Sequence, residues 1–198
     1  MTGHLILLIA VTGGGKRVLR DYIRGTFPQI KFAVSCTTRA QRPEEMEGRN
    51  YFFISKAEFQ KNIEEGAFLE WIEQDGGHLY GTLKSEVLQP LLRGEVVLRE
   101  VEVKGVHAIR ELVPKEHLTV LFIQADGWDV LKRRIEERAP ISAEELEGRR
   151  LRYEQERLFG PEADVIVENR DGELDAAKRD MKAAIQQILD NVCHTAQT

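Results

Sequence analysis

The stretch that decides the fold is LILLIAVTGGGKRVLRDYI, residues 5–23. Residues 5–10 form an unbroken apolar run, as expected of a parallel strand buried on both faces. Val18, Leu19, Tyr22 and Ile23 then recur at helical spacing. Between the two lie Gly13, Gly14, Gly15 and Lys16. A strand, a glycine turn ending in lysine and a helix make a phosphate loop: backbone N–H groups converge on an anion at the helix N-terminus, and the lysine adds a mobile positive charge. Against the pattern G-x-x-x-x-G-K-[ST], Ala10 replaces the first glycine, and Arg17 replaces the hydroxyl residue that meets magnesium.

Working outward, strands and helices alternate. Further strands are expected at 31–34, 96–101, 118–124 and 164–167, and helices at 106–112, 128–138, 142–159 and 173–189. Ser142 with Glu145, and Ser55 with Glu58, have capping-box spacing. This alternation predicts an α/β fold, a mainly parallel sheet covered by helices. Residues 50–82 differ. The aromatic-rich runs YFFI, FLEWIE and HLYG, around a short helix at 57–64, predict a small mixed or antiparallel sheet inserted into the core. The tail from Cys193 onward is expected to fray.

The 198 residues suffice for one sizeable core, and 42% hydrophobic with 31% charged residues is an ordinary globular balance. A net charge of −5 argues against general nucleic-acid binding, although local basic clusters remain able to hold a small phosphorylated ligand. The apolar run at the N-terminus is far too short to span a bilayer, and no basic segment and cleavage site accompany it. Cys36 and Cys193 give neither metal-ligand spacing nor a disulfide framework. A cytoplasmic protein with no membrane association is the expectation.

The segments SCTTRAQRP (35–43), EGRNYFF, EGAFLEW, GGHLYGT, LREVEVKGV and DVIVEN, in this order, resemble guanylate kinase over nearly the whole chain. The resemblance implies a phosphate-loop nucleoside monophosphate kinase fold with helices on both faces of its sheet. It divides the chain into a core (1–34, 83–137 and 160–198), a GMP-binding insert (35–82) and a helical lid (138–159). The implied activity is transfer of the γ-phosphoryl group of ATP to GMP, with Mg2+ accompanying ATP, in a monomer or homodimer.

Residue types at the matching positions suit that chemistry. Arg39 and Arg42 offer bidentate guanidinium contacts, and Tyr51 and Tyr80 phenolic donors, to a phosphate dianion; the resemblance gives these four the GMP phosphate. Guanine presents N1–H and N2–H₂ as donors beside the acceptor O6. Glu70 resembles the carboxylate that takes the two donors, and Ser35 the hydroxyl at O6. Adenine would set a lone pair against Glu70, and sites of this kind discriminate by orders of magnitude. Thr82 matches a hydroxyl beside the base, and Glu102 stands where the family usually has aspartate.

On the donor side, Thr12, Gly13, Gly14, Gly15, Lys16 and Arg17 are the expected ATP contacts, with Asn169 near the adenine. Arg17 could touch a phosphate directly, and Glu100 could reach magnesium through water. The resemblance implies lid arginines at Arg138 and Arg150, with Arg149 beside the latter, which neutralise charge on the transferring group. Lys16, Arg39, Arg138 and Arg150 are thus the expected catalytic set. The alternative is a weak or inactive guanylate kinase-like module that binds GMP or a phosphorylated peptide through the same site. Ala10, Arg17 and Val11 (where proline is usual) favour it; the retained glycines, Lys16 and lid arginines oppose it.

Overall fold

The computed structural model describes residues 1–74, 76–138 and 140–195. Strand β1 (His4–Ala10) is the middle of a five-stranded sheet ordered β2 (Lys31–Phe32), β7 (Val96–Glu100), β1, β8 (Leu118–Ala125), β9 (Val165–Asn169). Every pairing in it is parallel. The continuous apolar runs have the predicted cause. Leu5, Leu7 and Ile9 enter one core layer, Ile6, Leu8 and Ala10 the other, so both faces of β1 are covered.

Helix α1 (Lys16–Thr26) leaves the end of β1 through the glycine turn and packs Leu19 and Ile23 against the sheet. Helix α7 (Leu174–Thr195) covers the same face with Ala177, Met181, Ile185 and Ile188, at spacings of three and four. It runs past Cys193, where the sequence suggests a frayed tail. The opposite face carries α3 (Lys84–Leu92) and α4 (Val103–Arg110), with α5 (Trp128–Arg138) and α6 (Ala143–Glu156) beyond β8. Helix α3 goes unpredicted because it contains Pro90, which the propensity rules count against a helix; it lies in the last turn, so the N–H bond it removes and the kink it favours fall only at the helix end.

The insert is the second sheet, ordered β4 (Tyr51–Phe53), β3 (Ser35–Thr37), β6 (His78–Leu83), β5 (Phe68–Gln74). It is mixed: β3 pairs parallel with β4 and antiparallel with β6. Helix α2 (Lys56–Glu64) closes its small core, where Phe59 stacks on Phe68 at 4.3 Å. Both predicted caps form, Glu58 N–H donating to Ser55 Oγ and Glu145 N–H to Ser142 Oγ, each at 3.1 Å. Among the described residues no helix is long and apolar enough to cross a membrane.

Candidate active site

The C-terminal ends of β1 and β7 meet the concave face of the mixed sheet around a cavity of about 380 Å³. Ligands collect at the carboxyl ends of parallel strands because loops and helix N-termini converge there. The insert contributes Ser35, Arg39, Arg42, Tyr51, Glu70 and Tyr80; the core contributes Lys16, Glu100 and Glu102. Thr82 lies just behind, fully buried, its Oγ1 donating to Glu70 Oε1 at 2.6 Å. All eight sequence-derived acceptor residues therefore fall in one place.

The lining also holds Arg20, Arg24, Arg49, Arg99 and Lys104, which sequence reasoning missed. Eight basic side chains face four glutamates in a protein of net charge −5. Such a basic concavity in an acidic protein concentrates anions.

Three Arg–Glu pairs organise the charge. Arg39 holds Glu45 with both terminal nitrogens, at 2.7 and 3.0 Å, while Nε donates to Tyr80 Oη at 3.2 Å and NH1 to Ala40 O at 2.7 Å. Hydrogen bonding to Glu45 raises the Arg39 pKa, and the same bonds lower that of Glu45. Tyr51 packs edge-on against Tyr80 at 5.8 Å beneath the Arg39 guanidinium, and burial raises its phenol pKa. The second pair is Arg20 with Glu100, NH1 to Oε1 at 2.9 Å. Burial opposes the Arg20 charge, but Glu100 and Asp21 outweigh it and leave the pKa raised. The third is Arg99 with Glu70, at 3.0 Å. Lys16 and the Arg42 guanidinium make no hydrogen bond or ion pair among the described residues, so both remain available.

The phosphate loop is shaped by Gly13 at φ 79° and Gly15 at φ 87°, conformations that disfavour a Cβ. At Gly14 a Cβ would lie 2.8 Å from Val11 O. Asn169, expected near adenine, lies beside the loop: it donates from Nδ2 to Gly14 O at 2.9 Å and braces the loop from the end of β9. Thr12 gives its N–H and Oγ1 to Glu156 Oε2 at 2.6 and 2.7 Å. Burial pushes the Glu156 carboxyl above its ordinary pKa, while the Thr12 bonds and the Lys16 charge pull it back.

Arg17 is turned away from the cavity: its side chain is 74% exposed and lies 4.0 Å from Asp21. Arg20 faces inward in its place. Among the described residues Arg149 and Arg150 pair with Glu145 and Glu147 on their own helix, outside the cavity. Arg138 ends α5, and its side chain lies outside the described residues. Among the described residues no cluster of three or more His, Cys, Asp or Glu could hold a metal. Arg17 has no hydroxyl and Glu100 is neutralised by Arg20, so this donor set does not fit a magnesium ion resident on the chain.

The guanylate kinase family model matches residues 2–188. The chain is 35% identical to a guanylate kinase of Salinibacter ruber, over 95% of this chain and 98% of that one. It is 35% identical to a guanylate kinase of Rubrobacter xylanophilus, over 94% and 95%. The crystal structure of guanylate kinase from Anaplasma phagocytophilum superposes with a TM-score of 0.66, covering 93% of this chain and 85% of that one at 20% identity. With the family model matched over nearly its full length, and the mixed sheet set against a phosphate-loop core, the chain belongs to the guanylate kinase family.

Proposed function

We propose that the protein transfers the γ-phosphoryl group of ATP to GMP, giving ADP and GDP. The observation that carries this reading is the single cavity in which Lys16, at the loop, faces Glu70, Ser35 and the Arg39–Arg42–Tyr51–Tyr80 group. Phosphoryl transfer asks little covalent work of a protein; positioning and charge stabilisation carry it.

In this reading Glu70 and Ser35 fix the guanine, with Thr82 orienting Glu70 and Glu102 closing the base region. The GMP phosphate is received by Arg42, Tyr51, Tyr80 and the one Arg39 N–H that the protein leaves unbonded. The loop glycines and Lys16 hold the donor phosphates, and Thr12, whose N–H and hydroxyl both go to Glu156, joins them once it leaves that carboxylate. Residues 138–159 act as the lid that brings Arg138 and Arg150 over the reacting groups, and residues 35–82 as the acceptor unit. Magnesium carried by the ATP phosphates and waters would supply charge neutralisation there, while the chain provides cations of its own.

The test is direct. Incubated with ATP, magnesium and GMP, the protein forms GDP and ADP in equal amounts, and AMP does not replace GMP. GMP binding without GDP formation at any magnesium concentration would instead identify a guanylate kinase-like binding module, a reading that Arg17 and the Arg20–Glu100 pair favour.

A further inference from the structure

Strand β7 reads VVLRE, with a charge in an otherwise apolar run. Alternation puts Arg99 on the same face as Val97 and Val101, both buried in the layer that also holds Leu69 of β5. Arg99 therefore points toward the base end of the cavity, where it meets Glu70. Its side chain is 14% exposed and that of Glu70 12%. Burying a guanidinium so fully is costly unless its donors are used. Among the described residues one is used: NH2 donates to Glu70 Oε1 at 3.0 Å, and Nε is buried with no partner among them.

Glu70 Oε1 accepts from both Thr82 Oγ1 and Arg99 NH2, which fills its two lone-pair positions and leaves Oε2 for a ligand. The cavity thus presents a carboxylate acceptor side by side with a guanidinium donor. Guanine carries the complementary pair on one edge, N1–H beside O6. Adenine carries the reverse, an N1 lone pair beside N6–H₂, and would be opposed at both positions.

Building on the guanylate kinase reading of this cavity, we propose that Arg99 is a second base-reading residue: it positions Glu70 and donates directly to the purine 6-oxo group. Ser35 then shares that oxygen instead of holding it alone.

The experiment is calorimetric titration of GMP and 6-thioguanosine monophosphate into the wild type, Arg99→Leu and Arg99→Lys. The thio nucleotide keeps N1–H and N2–H₂ and replaces O6 by a poor acceptor, so it isolates the contact in question. The wild type binds GMP roughly tenfold more tightly than the thio nucleotide, the worth of about one hydrogen bond. Arg99→Leu loses about 10–100-fold in GMP affinity, and its preference falls within about twofold. Arg99→Lys recovers part of both, because one donor and the charge remain. ATP titration of each variant reports an intact fold. Equal losses for the two nucleotides in Arg99→Leu would overturn the 6-oxo contact, as would a wild type without preference, a result that needs no variant to fold. A wild type that binds GMP and an Arg99→Leu that matches it would overturn the inference alone. A wild type that binds no purine monophosphate would remove the functional reading beneath it.

Discussion

Replacing Gly15 by alanine tests whether the phosphate loop is braced by Asn169 or keeps its shape unaided. Gly15 lies in the left-handed region, at φ 87° and ψ 17°, where a Cβ costs roughly 1–2 kcal/mol. The added methyl would stand 2.3 Å from Asn169 Nδ2, so Asn169 has to withdraw and give up its 2.9 Å bond to Gly14 O. Both groups are buried, and losing that bond costs about 1–3 kcal/mol. The two effects together predict a loss of about 2–5 kcal/mol in folding stability. Asn169→Ala removes only the bond. In the double variant the methyl has room and the bond is lost once, so the two single costs overshoot the double by about 1–3 kcal/mol. Urea unfolding of the four proteins measures the cycle, and ATP titration reads the loop in parallel. Strict additivity, or a Gly15→Ala protein within about 0.5 kcal/mol of the parent, would refute the brace.

Other perturbations have equally definite outcomes. Lys16→Ala lowers kcat by about 10²-fold or more, because the donor phosphates lose their loop side-chain cation; steady-state GDP formation measures it, and a wild-type rate removes Lys16 from the chemistry. Arg42→Ala weakens GMP binding about tenfold or more without lowering the melting temperature, whereas Arg39→Ala lowers both, since Arg39 is also tied to Glu45, Ala40 and Tyr80. Calorimetry and thermal melts that showed the two variants behaving alike would contradict this division. Burial raises the Glu156 pKa in the folded state, so the native protein holds that proton more tightly than the unfolded chain and loses stability as pH climbs from the ordinary glutamate range through the folded value. Glu156→Gln, neutral and still able to accept from Thr12, removes that slope and gains on the wild type from acid to neutral pH; parallel urea midpoints across the range would exclude it.

The central strands were legible because burial on both faces writes an uninterrupted apolar run, and the two caps because a hydroxyl and a glutamate at fixed spacing have one purpose. The residues that gather at the cavity from the second sheet were legible as a family series. Arg20, Arg99 and Glu156, all missed, are charges whose partners lie far away in sequence. Glu156 meets Thr12 across 144 positions, and nothing local announces it. Two signals were nonetheless present. Arg20 is four residues after Lys16 and shares its helical face, while Arg17, one residue on, is turned about 100° away. Arg99 interrupts a strand whose neighbours Val97 and Val101 are both interior. A charge at such a position is held by a partner or a ligand, and here Glu70 supplies the first.

The contact between Glu156 and Thr12 has a mechanical side. Glu156 lies in the last turn of α6, and one turn earlier Tyr153 is buried against the Trp128 ring at 5.7 Å. The C-terminal end of the helix is therefore pinned at the phosphate loop, while Arg149 and Arg150, among the described residues, form ion pairs within the helix itself. With a rise of 1.5 Å per residue, Arg150 stands about 9 Å from the pin and the helix start about 20 Å. A turn of about 30° about that fulcrum carries Arg150 through about 5 Å and the helix start through about 10 Å. A helix that swings about this point would act as a lever with its fulcrum at Thr12, and spectroscopic rulers at its two ends would record unequal travel from a single hinge.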